Sequence, residues 1–194
     1  MLALSHIVPA TASTADLAVQ NNPFSGQNTY ETLVEYTSHY GSLRGGPRYD
    51  ATFDLNHNGR VGQTDGKILL RLLPPIGRKL PISLNLWLAP RDRINGHHPT
   101  NSGGVTALQS PTVVGHTSPG ALVFVGTGTT DIKLQGPAYV ADAQGNFSFQ
   151  DNLDAGINQL DIQVVDRYGQ QKLRSFPIYW TRFRAYEMRH PKNL

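Results

Sequence analysis

Cysteine is absent from all 194 residues, which excludes disulfides, zinc–thiolate sites and a cysteine nucleophile. Charge is sparse: Asp, Glu, Lys and Arg make up 16% of the chain, and only 14 residues are acidic. No apolar run approaches the ~18 residues that would cross a bilayer as a helix. A strand-to-helix nucleophile elbow, a glycine-rich phosphate loop and a histidine–glutamate zinc motif are also missing, so no enzyme is expected. Turn chemistry takes their place. The 19 glycines and 13 prolines on a lightly charged chain suit turn-rich β domains, and the length allows one or two domains, each with its own core. This composition agrees with an extracellular, cell-surface or periplasmic setting.

Against that background one stretch is chemically distinctive. In Asp54-Leu55-Asn56-His57-Asn58-Gly59-Arg60-Val61-Gly62-Gln63-Thr64-Asp65, oxygen side chains recur at alternate positions and a glycine then forces a turn. A hard cation such as calcium takes ~6–8 oxygen ligands, which a short loop supplies by alternating side chains inward before bending back. Asp54, Asn56 and Asn58 fit the first three ligand positions. Gly59 stands where positive φ is needed, Arg60 offers its carbonyl, Val61 is an apolar pin, and Asp65 falls where a closing carboxylate belongs. The alternative is an Asn/Gly-rich turn that binds nothing.

The spacing resembles an EF-hand loop and, more narrowly, the calcium repeat of dockerin-type domains, in which an aspartate often closes the loop. Tyr49-Asp50-Ala51-Thr52-Phe53 looks like the approach to such a repeat, and Gly66-Lys67-Ile68-Leu69-Leu70-Arg71-Leu72-Leu73 like its exit helix. The resemblance implies that Asp54, Asn56, Asn58 and Asp65 bind calcium through side chains and Arg60 through its backbone carbonyl. Gly62, at the ninth position, offers no side chain, so a water is expected there. With two carboxylates only, affinity is expected on the order of 10⁻⁴–10⁻³ M, the range of extracellular modules.

Dockerins resemble tandem repeats, and a worn first repeat is discernible. Aligning Asn21 with Asp54 places Ser25 on Asn58, Gly26 on Gly59 and Thr32 on Asp65, but Pro23 occupies a ligand position and no carboxylate remains. A helix is expected from about residue 29, where Thr29-Tyr30-Glu31-Thr32-Leu33-Val34-Glu35-Tyr36 has apolar residues at helical spacing. Asn28 or Thr29 caps it and Gly41 ends it. One loop packed against a degenerate partner does not suit the paired-repeat recognition of cohesins.

Pro74-Pro75 stops the second helix. Beyond it Leu80–Leu88 alternates like a strand in its second half, with Trp87 out of phase, and residues 95–104 are turn-rich. His97 and His98 lack a third nearby ligand and read as exposed polar residues. From about Leu108 short alternating runs are separated by turns at regular spacing: 112–115, 121–125, 131–134, 139–142, 146–149, 159–166 and 173–180. Leu160, Ile162 and Val164 share one face and Asp161 and Gln163 the other. Asp142, Asp151, Asp154 and Asp166 read as turn residues bonding their own backbone, with a second calcium site as the alternative.

Val114-Gly115-His116-Thr117-Ser118-Pro119-Gly120-Ala121, then Ala141-Asp142-Ala143-Gln144-Gly145-Asn146-Phe147, then Asp154-Ala155-Gly156-Ile157-Asn158-Gln159-Leu160 and Val165-Asp166-Arg167-Tyr168-Gly169-Gln170 resemble the bacterial immunoglobulin-like domains of surface and secreted proteins. The expected fold class is therefore α+β in two modules: a small helical EF-hand or dockerin-like module and an all-β immunoglobulin-like sandwich. The expected organisation is an N-terminal arm or signal remnant (1–20), the helical module (21–75), a linker carrying one strand-like stretch (76–107), the sandwich (108–180) and a basic tail (181–194). In that tail Arg182, Arg184, Arg189 and Lys192 accompany Phe183 and Tyr186, a cluster too short to indicate nucleic acid.

The expected function is noncatalytic: a calcium-binding adhesion or assembly protein with protein partners. One alternative is a carbohydrate-binding accessory part of a secreted enzyme. Another is a structural subunit of a large membrane-associated complex, itself without a transmembrane segment.

Overall fold

Asn28 sets the start of the first helix. In the computed structural model, which describes residues 22–94, 103–127 and 136–182, its side chain accepts from the backbone N–H groups of Tyr30 and Glu31. These donors have no partner inside the helix, so the cap satisfies them. Helix α1 (Thr29–His39) buries Thr32, Leu33 and Tyr36 on one face, and Gly41 follows its end with φ of 80°. Helix α2 (Gln63–Leu72) starts at Gly62, which has no side chain to cap with. Asp65 caps instead, reaching back to the Gly62 N–H at 2.8 Å. Leu73 closes α2 in extended conformation, as the following Pro74 requires.

Among the described residues eight strands make two sheets. They are β1 (Asn85–Leu88), β2 (Gly104–Thr106), β3 (Thr112–His116), β4 (Leu122–Thr127), β5 (Ala138–Val140), β6 (Asn146–Gln150), β7 (Gly156–Val165) and β8 (Gln171–Trp180). A three-stranded sheet has the order β1-β3-β6, and a five-stranded sheet has the order β2-β8-β7-β4-β5. All pairs are antiparallel except β2 with β8. The α+β class expected from the sequence is thus the observed one.

The two sheets share a core. Leu84, Leu86, Leu88 and Val113, with Phe147 and Phe149, meet Val123, Leu160, Ile162, Val164, Phe176 and Ile178. Leu160, Ile162 and Val164 do line one face as the alternation predicts. The stretch read as a linker supplies β1, and its leucines at alternate positions belong to this core with Trp87 out of phase. Strand β2 has no counterpart in the sequence reading. It is three residues long and follows Gly103, whose φ of +106° brings the backbone so close to Pro177 that a β-carbon would stand 2.0 Å from its carbonyl oxygen.

Strand β4 is buried on both faces. Val123 and Val125 face the core between the sheets. Leu122 and Phe124 point the other way, joining Ala138 and Val165 under Leu33, Tyr36, Tyr40, Leu69 and Leu70. The helices therefore cover the outer side of the five-stranded sheet through one continuous apolar cluster, and Gln63 of α2 hydrogen-bonds Gln163 of β7 across it. The strand expected at 131–134, His97 and His98, residues 1–20 and most of the basic tail lie outside the described residues.

Candidate metal centre

Two apolar pins hold the loop from Asp54 to Asp65. Phe53, the last residue of a 3-10 turn (Ala51–Phe53), is buried against Phe24 and His39, with ring centroids 5.6 and 5.2 Å away. Val61 is fully buried on the other side. Its backbone pairs with the chain after α1: the Val61 carbonyl accepts from Gly41 at 2.8 Å, and its N–H donates to Ser42 at 3.1 Å. Arg60 faces Leu43 in the same short bridge, and Arg44 donates to the Gly59 carbonyl.

Between the pins the backbone curls around its own side chains. Asp54 Oδ1 accepts from the Asn58 N–H at 3.0 Å, and Oδ2 from the Gly59 N–H at 2.9 Å. Asn56 Oδ1 accepts from Asn58, and Asn58 Oδ1 from Arg60. Asp65 closes the ring, Oδ1 accepting from the Asn56 N–H at 3.0 Å and Oδ2 from Gly62. Gly59 has φ of 82°, as its position in the motif predicts. His57 has φ of 56°, which nothing in the sequence signals; histidine is among the residues that tolerate this region.

Three contributors were not legible in the sequence. The Tyr49 hydroxyl donates to Asp54 Oδ2 at 2.6 Å. That bond, then the Gly59 and Asn58 N–H groups and Arg44, hold the Asp54 carboxyl below the usual range against the opposing effect of desolvation. The same bond raises the Tyr49 phenol. Arg44 stands 3.9 Å from Asp54, its own side chain mostly in solvent. Tyr36 donates to the Gly62 carbonyl at 2.7 Å; burial, then Tyr40 and Asp65, push its pKa above the ordinary phenol range.

The worn first repeat meets this loop at its entry, where Phe24 stacks on Phe53, and not along its ligand positions. Asn22 and Phe24 form a turn, and Asn22 Nδ2 donates to the Leu72 carbonyl at the far end of α2. Gly41–Arg44, from beyond α1, pairs with the loop instead.

The donor set fits a hard cation. Asp54 and Asp65 are 1% and 0% exposed, and the distant Arg44 is the sole basic side chain paired with either among the described residues. The Tyr49 hydroxyl and four backbone N–H groups also satisfy these carboxylates, and an ionised carboxylate keeps acceptor capacity for a cation beside such bonds. Every candidate ligand is oxygen, which suits calcium over a softer metal. Among the described residues no three His, Cys, Asp or Glu side chains gather as a metal cluster, so Asn56, Asn58, the Arg60 carbonyl and solvent would complete the shell. Elsewhere Asp142 and Asp166 accept from the N–H groups of their own turns, as turn aspartates do.

No protein-family model matches the chain, and no curated protein matches it in sequence. No helix among the described residues is long and apolar enough to cross a membrane.

Proposed function

We propose that the chain is a noncatalytic, calcium-stabilised adhesion or assembly protein of the cell exterior. In this reading a dockerin-like helical module bears on an immunoglobulin-like pair of sheets. The observation that carries it is the closure of the loop on itself: Asp54 and Asp65, both buried, hold the backbone N–H groups of Asn56, Asn58, Gly59 and Gly62. Calcium binding only the folded loop stabilises by mass action. At calcium ~10–100 times Kd the gain is about 1.4–2.7 kcal/mol. The two carboxylates and neutral remaining ligands suit millimolar calcium outside the cell better than cytosolic signalling.

The test is calorimetric titration with calcium and magnesium, with thermal unfolding in calcium and in chelator. The expected result is one calcium site in the 10⁻⁴–10⁻³ M range and a calcium-dependent rise in Tm that Asp65→Asn abolishes. An unfolding curve indifferent to calcium rules the reading out.

A second reading, carbohydrate binding, is favoured by a groove of about 440 Å³ between α1 and the strands β5 and β6. Tyr30 and Val34 present exposed apolar surface there beside Tyr139, Asp142 and Asn146. Aromatic faces flanked by amide and carboxylate groups suit a sugar ring. A glycan array answers this directly: binding lost in Tyr30→Ala supports it, and an unlabelled array excludes it.

A further inference from the structure

Four cations gather around the β7–β8 turn, and none has a carboxylate partner among the described residues. Tyr168 lies at the tip, with Lys79 Nζ 5.2 Å and Arg167 Cζ 5.7 Å from its ring centroid. Arg71 reaches the same turn, its Nη2 standing 3.9 Å from where a β-carbon on Gly169 would be. Arg78 lines the cleft below, together with Arg167, Ser118 and Asp166. The ion pairs of the described residues, Arg44–Asp54 and Arg91–Asp92, lie elsewhere. Asp166 is buried and its oxygens are engaged by Tyr168 and Gln170. Its charge offsets one cation of the four and leaves three in excess. Gln170 Nε2 also donates to the Leu80 carbonyl at 3.1 Å, tying the segment that bears Arg78 and Lys79 to the turn.

Inside the cleft two donors are unmet. Ser118 Oγ and Arg167 Nη1 are both shielded from solvent and meet no hydrogen-bond partner in the protein. Unpaired buried donors are costly, above all on a charged group; Ser42 Oγ and Arg93 Nε are unmet elsewhere, and what distinguishes Ser118 and Arg167 is that both line one cleft. The cavity of about 20 Å³ admits one oxygen-sized atom and no ring.

We propose that this cleft binds a phosphate or sulfate group. One oxygen enters and accepts from Ser118 Oγ and Arg167 Nη1; the remaining oxygens stay at the mouth among Arg78, Lys79 and Arg71. A tetrahedral oxyanion suits the arrangement because it presents several acceptors at once and carries up to two charges against the excess of cations. A carboxylate, with two oxygens and one charge, leaves the mouth unsatisfied. The exposed face of Tyr168 beside the site offers a surface for whatever bears the ester.

The experiment is calorimetric titration of the full chain at low ionic strength with inorganic phosphate and, separately, with a sulfated disaccharide. Three variants accompany it: Arg78→Gln, Ser118→Ala and Arg48→Gln. Arg48 is an exposed, charge-matched control beside His39, at the opposite end of α1 from the cleft. Saturable one-site binding is expected, weakened about tenfold by Arg78→Gln, weakened also by Ser118→Ala, and unchanged in Arg48→Gln. Binding of phosphate alone identifies a free anion as sufficient, and binding only of the disaccharide identifies an ester carried on sugar. The proposal is overturned if neither ligand saturates, if Ser118→Ala binds as the parent does, or if Arg48→Gln loses as much as Arg78→Gln. Arg78 is exposed, so its variant folds and the result reads on binding.

Discussion

Gly66 of α2 lies so close to Tyr36 of α1 that a β-carbon on it would stand 2.7 Å from the Tyr36 hydroxyl oxygen, with Leu122 Cδ1 at 2.8 Å on the sheet side. The residue immediately after the loop's closing carboxylate is thus the point where both helices and β4 converge. Two opposed effects follow for Gly66→Ala. Alanine in a helix interior gains about 0.5–1 kcal/mol over glycine, whereas overpacking a tight site costs about 1–3 kcal/mol. The clash wins, because the Tyr36 hydroxyl is held by the Gly62 carbonyl and only Leu122 has freedom to shift. Gly66→Ala is expected to lower stability by about 1 kcal/mol, a fall in Tm of about 2–4 °C, measured by thermal unfolding monitored by circular dichroism.

Asp54 governs an acid-sensitive component of stability. Its folded pKa is depressed, chiefly by the Tyr49 hydroxyl, while its unfolded value is about 3.9. The stabilisation is complete above that unfolded value and is lost as pH falls through the lower folded one. Tyr49→Phe removes the leading cause and brings the folded pKa up towards the unfolded one. The variant is expected to be less stable at neutral pH and to show a smaller loss of stability on acidification than the parent. Denaturant titrations between pH 2 and 7 test this; parallel pH profiles for the two proteins contradict it.

Asp151 behaves in the opposite sense. Desolvation raises its pKa, with the Asn152 N–H opposing, so the folded state binds its proton more tightly than the unfolded state. Stability then declines as pH rises from the unfolded value through the raised one, and above that the penalty is constant. Asp151→Asn keeps an oxygen for the Asn152 N–H and removes the charge. Higher stability than the parent is expected at pH 7 and no advantage at pH 3; a variant with equal or lower stability at pH 7 refutes the assignment.

Phe124 links the helices to the sheets, lying 5.2 Å from the Tyr40 ring on the helix-facing side of β4. Phe124→Ala is expected to cost about 3–5 kcal/mol in a single unfolding transition, since β4 contributes to both apolar clusters. If calcium binds the loop, amide exchange across β4 slows on adding it in the parent protein. Hydrogen-exchange mass spectrometry reads this; protection confined to residues 41–65 shows the two clusters to be uncoupled.

Much of the local architecture was legible in the chain. The Asn28 cap, the stop at Pro74 and the Leu84/Leu86/Leu88 alternation each follow from short-range rules, because the residue and its neighbours carry the cause. Strand β2 escaped because three residues beside Gly103 have no period to detect. The loop's supporting cast escaped for another reason. Tyr49 carries no signature of an acceptor five residues on, and the pairing of Gly41–Arg44 with Gly59–Val61 is a meeting of two irregular segments. Similarity of spacing suggested the worn repeat at 21–32 as the partner. The turn at Asn22–Ser25 carries Asn22 to the far end of α2, while its Phe24 stacks on Phe53 at the loop's entry.

The sequence by itself determined both helices, most of the strands and the mixed α+β character of the chain. Those properties depend on periodicity, capping and turn residues, all local in their physics. Only the tertiary structure decided that Leu122 and Phe124 turn away from the sheet-to-sheet core to lie beneath the helices, that Arg44 and Tyr49 attend Asp54, and that Arg71, Arg78, Lys79 and Arg167 surround one turn. Such placements depend on which apolar faces find each other and on how distant chain segments are brought side by side. Nothing in a strand's alternation says which of its two faces a helix will cover.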